Sequence, residues 1–174
     1  LDKQECEGFG AKVGFDRRNL RADTRAKTMK RVASFVYRSR MKGTAAVATR
    51  LVEYTGNFSR ALLWAYGLPL GGDRSREEKP PDDWRRYAQW RRSAGEDRTL
   101  FDAPGHLVAP DEKTTLAEAI EFAVDLGWDA VVLMRPLRCI IALSHDDIIT
   151  VQSRHNVTAV ADALGRLGLS ETAW

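Results

Sequence analysis

Cysteine is nearly absent from this chain: Cys6 and Cys139 are the only two in 174 residues. That number leaves no disulfide framework, and with Cys139 in a run that reads as a buried strand it favours a reducing, cytoplasmic setting. No run of about 18 apolar residues is present, so no membrane-spanning helix is expected. The start, Leu1-Asp2-Lys3-Gln4-Glu5-Cys6, is polar and lacks the apolar core of a signal peptide. It also lacks an initiator Met, and the sequence is therefore expected to be a fragment or a processed product. Paired-Cys zinc spacing, a phosphate-binding Gly loop and a Ser-centred nucleophile elbow are all missing. Gly8-Phe9-Gly10 precedes no strand–helix pattern. Repeats and low-complexity tracts are missing too. These absences argue against catalysis, a cofactor or a resident metal.

What the chain does have is charge sorted by position. Residues 11–42 carry eleven Lys or Arg against two acids, whereas residues 99–174 carry five against eleven. The overall charge of +3 conceals this contrast. A basic front and an acidic rear create local fields that point to a polyanionic partner or to self-association. Hydrophobic residues at 44% and charged residues at 29% are ordinary for a globular protein.

The spacing predicts a basic helix over Thr24–Lys42, capped by Asp23 and closed by Gly43, with Met29, Val32, Ala33 and Val36 as its apolar stripe. A second helix is expected over Ala45–Tyr54 and a third, capped by Asn57, over Phe58–Tyr66. Gly71-Gly72 and Pro80-Pro81 mark a boundary, and Asp83 caps a short helix over Trp84–Ser93. Beyond it a strand is expected near Leu107–Ala109, then a helix whose capping box is Thr115 with Glu118. Strands over Ala130–Met134, Arg138–Ser144 and Ile148–Gln152 follow, joined as hairpins, and a last helix is capped by Asn156. The expected fold class is therefore α+β. A mainly helical basic module (1–70) leads through a linker with a Trp/Arg-rich helix (71–98) to an acidic β-α-β-β-β-α domain (99–174) with a largely antiparallel sheet.

Candidate chemistry lies mostly in the arginines. Arg17, Arg18, Arg21, Arg25, Lys27, Lys30, Arg31 and Arg38 suit a phosphate backbone, where cations displace condensed counterions. The competing readings of this basic helix are a solvated face that answers the acidic rear, and a helix lying on a lipid surface or in a partner's groove. Arg85, Arg86, Arg91 and Arg92 form a second patch, interleaved with Trp84, Tyr87 and Trp90. Those rings can stack bases, but anchoring a short helix is the more ordinary use of them. Cys139 and His145 are too far apart along one strand for a dyad. Ser144-His145-Asp146-Asp147 reads as a hairpin turn. A metal-assisted use of His145 and Asp147, with His106 as a second imidazole, is the less ordinary alternative.

The expected function is that of a non-catalytic, intracellular nucleic-acid-associated protein, DNA or RNA, working in a larger assembly. The alternative is a protein-binding adaptor or inhibitor of the immunity or antitoxin kind. It would dock a basic partner through Asp125, Asp129, Asp146 and Asp147, or associate with itself. A membrane partner has less support.

Overall fold

Seven strands form one antiparallel sheet in the computed structural model, which describes residues 1–15, 31–36, 43–67, 82–154 and 157–172. In chain order the described elements are α1 (Lys3–Val13), β1 (Arg31–Val36), α2 (Thr44–Thr55), β2 (Arg60–Gly67) and α3 (Asp82–Ser93). They continue with β3 (Gly105–Val108), α4 (Lys113–Asp125), β4 (Asp129–Arg135), β5 (Cys139–Ser144), β6 (Ile148–Ser153), α5 (Thr158–Arg166) and β7 (Ser170–Thr172). The strands lie in the order β3-β2-β4-β5-β6-β1-β7. The molecule is α+β, and no helix among the described residues is long and apolar enough to cross a membrane.

Strand alternation sorts the side chains to two faces. Ala33, Phe35, Ala61, Leu63, Val132, Ile141, Leu143, Ile149 and Val151 pack beneath α2, α3, α4 and α5 in the larger core. Leu62, Trp64, Val131, Leu133 and Ile140 point the other way and meet Cys6 and Phe15 from the α1 side. Because both faces are covered, Ala61–Ala65 is buried without a break.

That double burial explains one correction. The continuous apolar run Phe58–Tyr66 was expected to be a helix, and from Arg60 it is strand β2. An unbroken apolar run has no period to distinguish the two states, and here the sheet claims it. The expected basic helix over Thr24–Lys42 is also corrected where it can be seen, since Arg31–Val36 is strand β1, seated between β6 and β7. Strand alternation replaces the expected helical stripe: Ala33 and Phe35 face the larger core, whereas Val36 is exposed. Residues 16–30, 37–42 and 68–81 lie outside the described set, as do His155 and the expected cap Asn156.

Helix α1 was missed. Its signal is nonetheless in the sequence: Asp2 accepts from the Glu5 amide at 2.8 Å while the Glu5 carboxylate accepts from the Asp2 amide at 2.7 Å, a complete capping box. Gly10 in this helix is a close-packing position, since a Cβ there would stand 3.3 Å from the Phe15 ring. The Thr115/Glu118 capping box is not formed. Helix α4 starts at Lys113, and the Glu112 carboxylate accepts from the Ala109 amide instead. The helices expected over 45–54 and 84–93 are present as α2 and α3, and the three rear strands stand where they were expected.

Strands β1 and β2 come from the front of the chain and pair with β6 and β4 from the rear. The described residues of 1–70 thus form two helices and two strands, and they share the larger core with the acidic segment.

Candidate functional site

The arginines of α3 are held in very different ways. Arg91 is 3% exposed. Its guanidinium donates to the Tyr87 hydroxyl at 2.8 Å, to the Ala103 carbonyl at 3.2 Å and to the Thr99 carbonyl at 3.4 Å. Arg86 bridges to Glu121 at 3.1 Å and to Asp125 at 3.7 Å, and it lies over the Phe122 ring. Arg85 is exposed and pairs with Asp82 one turn earlier. Arg92 is exposed and forms no ion pair among the described residues. A buried guanidinium cannot reach a phosphate, so Arg91 serves the fold, and Arg86 is committed to α4.

The aromatic residues of α3 behave as anchors. Trp84 and Tyr87 are buried and pack edge to face, and Tyr87 also meets Trp128 and Phe122. Trp90 donates its indole N–H to Glu118 at 2.8 Å. The Tyr87 hydroxyl pairs with Nε2 of His106 at 2.9 Å. Burial, and then the nearby Arg91 charge, push His106 down to about 3, so it is neutral near pH 7.

Other titratable residues are kept apart. His106 sits on β3, and β2 and β4 stand between it and the strand leading to His145, so it supplies no second imidazole there. His145 and Asp147 lie in the β5–β6 hairpin, where Asp147 takes a left-handed φ of 62°, a conformation Asp tolerates better than most residues. Asp129 accepts from the His145 amide at 3.1 Å and lies 2.8 Å from its Nδ1. That hydrogen bond raises the His145 pKa. Asp125 is raised chiefly by burial, against the opposing pull of its Thr44 hydrogen bond and of Arg86. Three of the four candidate acidic residues, Asp125, Asp129 and Asp146, therefore already have partners in the fold, the last through Nε2 of His145 at 3.4 Å. Cys139 is buried in β5 with its thiol pushed up to about 12, a packing residue rather than a nucleophile. No group of three or more His, Cys, Asp or Glu suited to a metal ion occurs among the described residues.

The front basic residues Arg17, Arg18, Arg21, Arg25, Lys27, Lys30 and Arg38 lie outside the described set. The attachment points of the segment 16–30 are visible. Before it, Phe15 is buried in the α1-side core with Leu137 and Ile140. After it, Arg31 opens β1 opposite Ser153. Arg31 thus stands at the end of the sheet where β4 stops, β5 starts and β6 stops.

Four arginines that the sequence reading left aside meet at this same end. Arg60 on β2 is the direct cross-strand partner of Arg135 on β4. Arg138 precedes Cys139, whose partner is Ser153, and the Arg154 amide donates to the Arg138 carbonyl at 3.2 Å, extending that ladder by one position. Alternation assigns Arg60 and Arg135 to the α1 side, in line with Leu62 and Leu133, and the continued ladder assigns Arg138 and Arg154 to the same side. All four are exposed, and none has an ion pair among the described residues. Their scatter along the chain hid them. Only the strand register, a long-range property, brings them together.

No protein-family model, curated protein or solved structure matches this chain.

Proposed function

We propose that this protein binds the phosphate backbone of nucleic acid, without catalysis, through the basic segment between α1 and β1. The observation that carries this reading is the charge of that segment. Residues 16–30 bring six Lys or Arg against two Asp between α1 and β1. In this reading the phosphate contacts come from Arg17, Arg18, Arg21, Arg25, Lys27, Lys30, Arg31 and Arg38. Arg85 and Arg92 are exposed on α3, which packs on the face of the sheet opposite α1, and they are no part of this patch. Recognition of this kind is backbone-directed and carries no base information.

Binding to single- and double-stranded oligonucleotides across a salt series tests the reading. Six phosphate contacts on a duplex give a slope of log K against log salt of roughly −5. Reversing Arg21, Arg25 and Arg31 together should weaken binding and flatten that slope. An absence of binding at low salt would refute the proposal.

A further inference from the structure

The structure assigns a second phosphate-binding surface to Arg60, Arg135, Arg138 and Arg154, a row of guanidinium groups laid across the end of the sheet on its α1 side. For its ligand class this inference rests on the nucleic-acid reading. The residues and the geometry are independent of it.

Four consecutive strands, β2, β4, β5 and β6, each contribute one arginine at or next to their ends. Neighbouring strands lie about 4.8 Å apart, so the backbone positions span about 14 Å. Because the backbone winds as it rises, successive phosphates of one strand lie farther apart than the axial rise of about 3.4 Å, and with side-chain reach the row suits roughly three to four of them. All four residues are Arg, whose planar fork matches phosphate oxygens two at a time.

Packing gives no reason for this arrangement. Arg60 faces Arg135 directly across the ladder, and Arg154 continues the ladder opposite Arg138. Like charges directly opposite each other destabilise a sheet. The acidic segment 99–174 has only five Lys or Arg in all, and three of them, Arg135, Arg138 and Arg154, stand in this row. No carboxylate among the described residues neutralises them. An external anion would relieve the repulsion that the described residues leave in place.

The row also borders described residues that flank the basic segment in the chain: Arg154 follows Ser153, the partner of Arg31, and Arg138 follows Leu137, which shares a cluster with Phe15. No exposed aromatic ring stands beside the four among the described residues, so bases have no stacking platform there. The surface holds phosphates.

The test compares the unaltered chain with Arg60→Gln/Arg135→Gln, with Arg138→Gln/Arg154→Gln and with all four changes together. The probes are a fluorescein-labelled 20-nucleotide single strand, the matching duplex and polyglutamate. Far-ultraviolet circular dichroism and the thermal midpoint confirm that each variant is folded, and the two double variants serve if the fourfold variant is not. On the duplex, each double variant should make the salt slope shallower by about 1.8 and the fourfold variant by about 3.6. With affinities converging near about 1 M salt, affinity near 100 mM should fall by roughly a thousandfold or more in the fourfold variant. If the unaltered chain binds, reversing Arg21, Arg25 and Arg31 weakens it, and the fourfold variant keeps its slope, this surface is refuted and the proposed function stands. If the unaltered chain binds neither oligonucleotide at low salt, both are refuted. Polyglutamate bound as tightly as the oligonucleotides, with the same dependence on the four arginines, would overturn the ligand class.

Discussion

Two sets of four arginines are held differently in this molecule, and they reverse what their positions in the chain suggest. Arg85, Arg86, Arg91 and Arg92 are neighbours in sequence, interleaved with aromatics, and look like a nucleic-acid patch. In the fold Arg91 is buried, Arg86 is tied to α4 and the rings are core. Arg60, Arg135, Arg138 and Arg154 are scattered through the chain, yet the register lines them up with no ion pair among the described residues. Proximity in sequence thus made a structural unit, and proximity in space made an exposed cationic surface. An arginine's availability is set by what its neighbours already satisfy.

This contrast can be broken first at Arg91. Arg91→Met removes a buried cation and leaves the Tyr87 hydroxyl and the Ala103 carbonyl short of a donor, which should cost about 3 kcal/mol in denaturant unfolding. The salt slope of oligonucleotide binding by the folded protein should not move.

The same network predicts acid lability. His106 has a folded-state pKa of about 3, below the ordinary 6.5, so the unfolded chain takes up a proton first as pH falls. Its contribution is intact above about pH 6.5 and declines as pH drops towards 3, by about 2 kcal/mol at pH 5. In His106→Gln this part of the pH dependence of the unfolding free energy should vanish.

Smaller effects sharpen the other half of the comparison. Arg135→Gln relieves a cross-strand repulsion with Arg60 and should raise stability by about 0.5 kcal/mol while weakening oligonucleotide binding. Opposite signs for folding and binding distinguish a functional arginine from a structural one. His145, raised by its hydrogen bond to Asp129, works in the other direction from His106. Its contribution is full below about pH 6.5 and is lost as pH rises through the raised value. His145→Gln should abolish that alkaline decline, and because the pair is exposed the change should be the smallest of these, read as a shift in thermal midpoint between pH 6 and 8.

Much of the rear fold was legible because its elements carry local signals. The strands Ala130–Met134 and Ile148–Gln152 are bounded by short turn sequences, and α4 shows one apolar face through Leu116, Ile120 and Ala123. The front was harder to read for a physical reason. Residues 60–67 are buried on both sides, which erases the period that separates strand from helix. Residues 31–36 pair with β6, more than 110 positions away, and no local pattern announces such a partner. The arginine row was illegible for the same reason. Arg60 and Arg135 become neighbours only once β2 and β4 are in register.

The most direct measurement is a two-dimensional NMR titration of the arginine side-chain Nε–H signals, assigned by single Arg→Gln substitutions, with a short DNA duplex. The account predicts that the signals of Arg60, Arg135, Arg138 and Arg154 shift or broaden, while those of Arg86 and Arg91 stay in place. Shifts confined to the α3 arginines, with the sheet-end four unmoved, would contradict it.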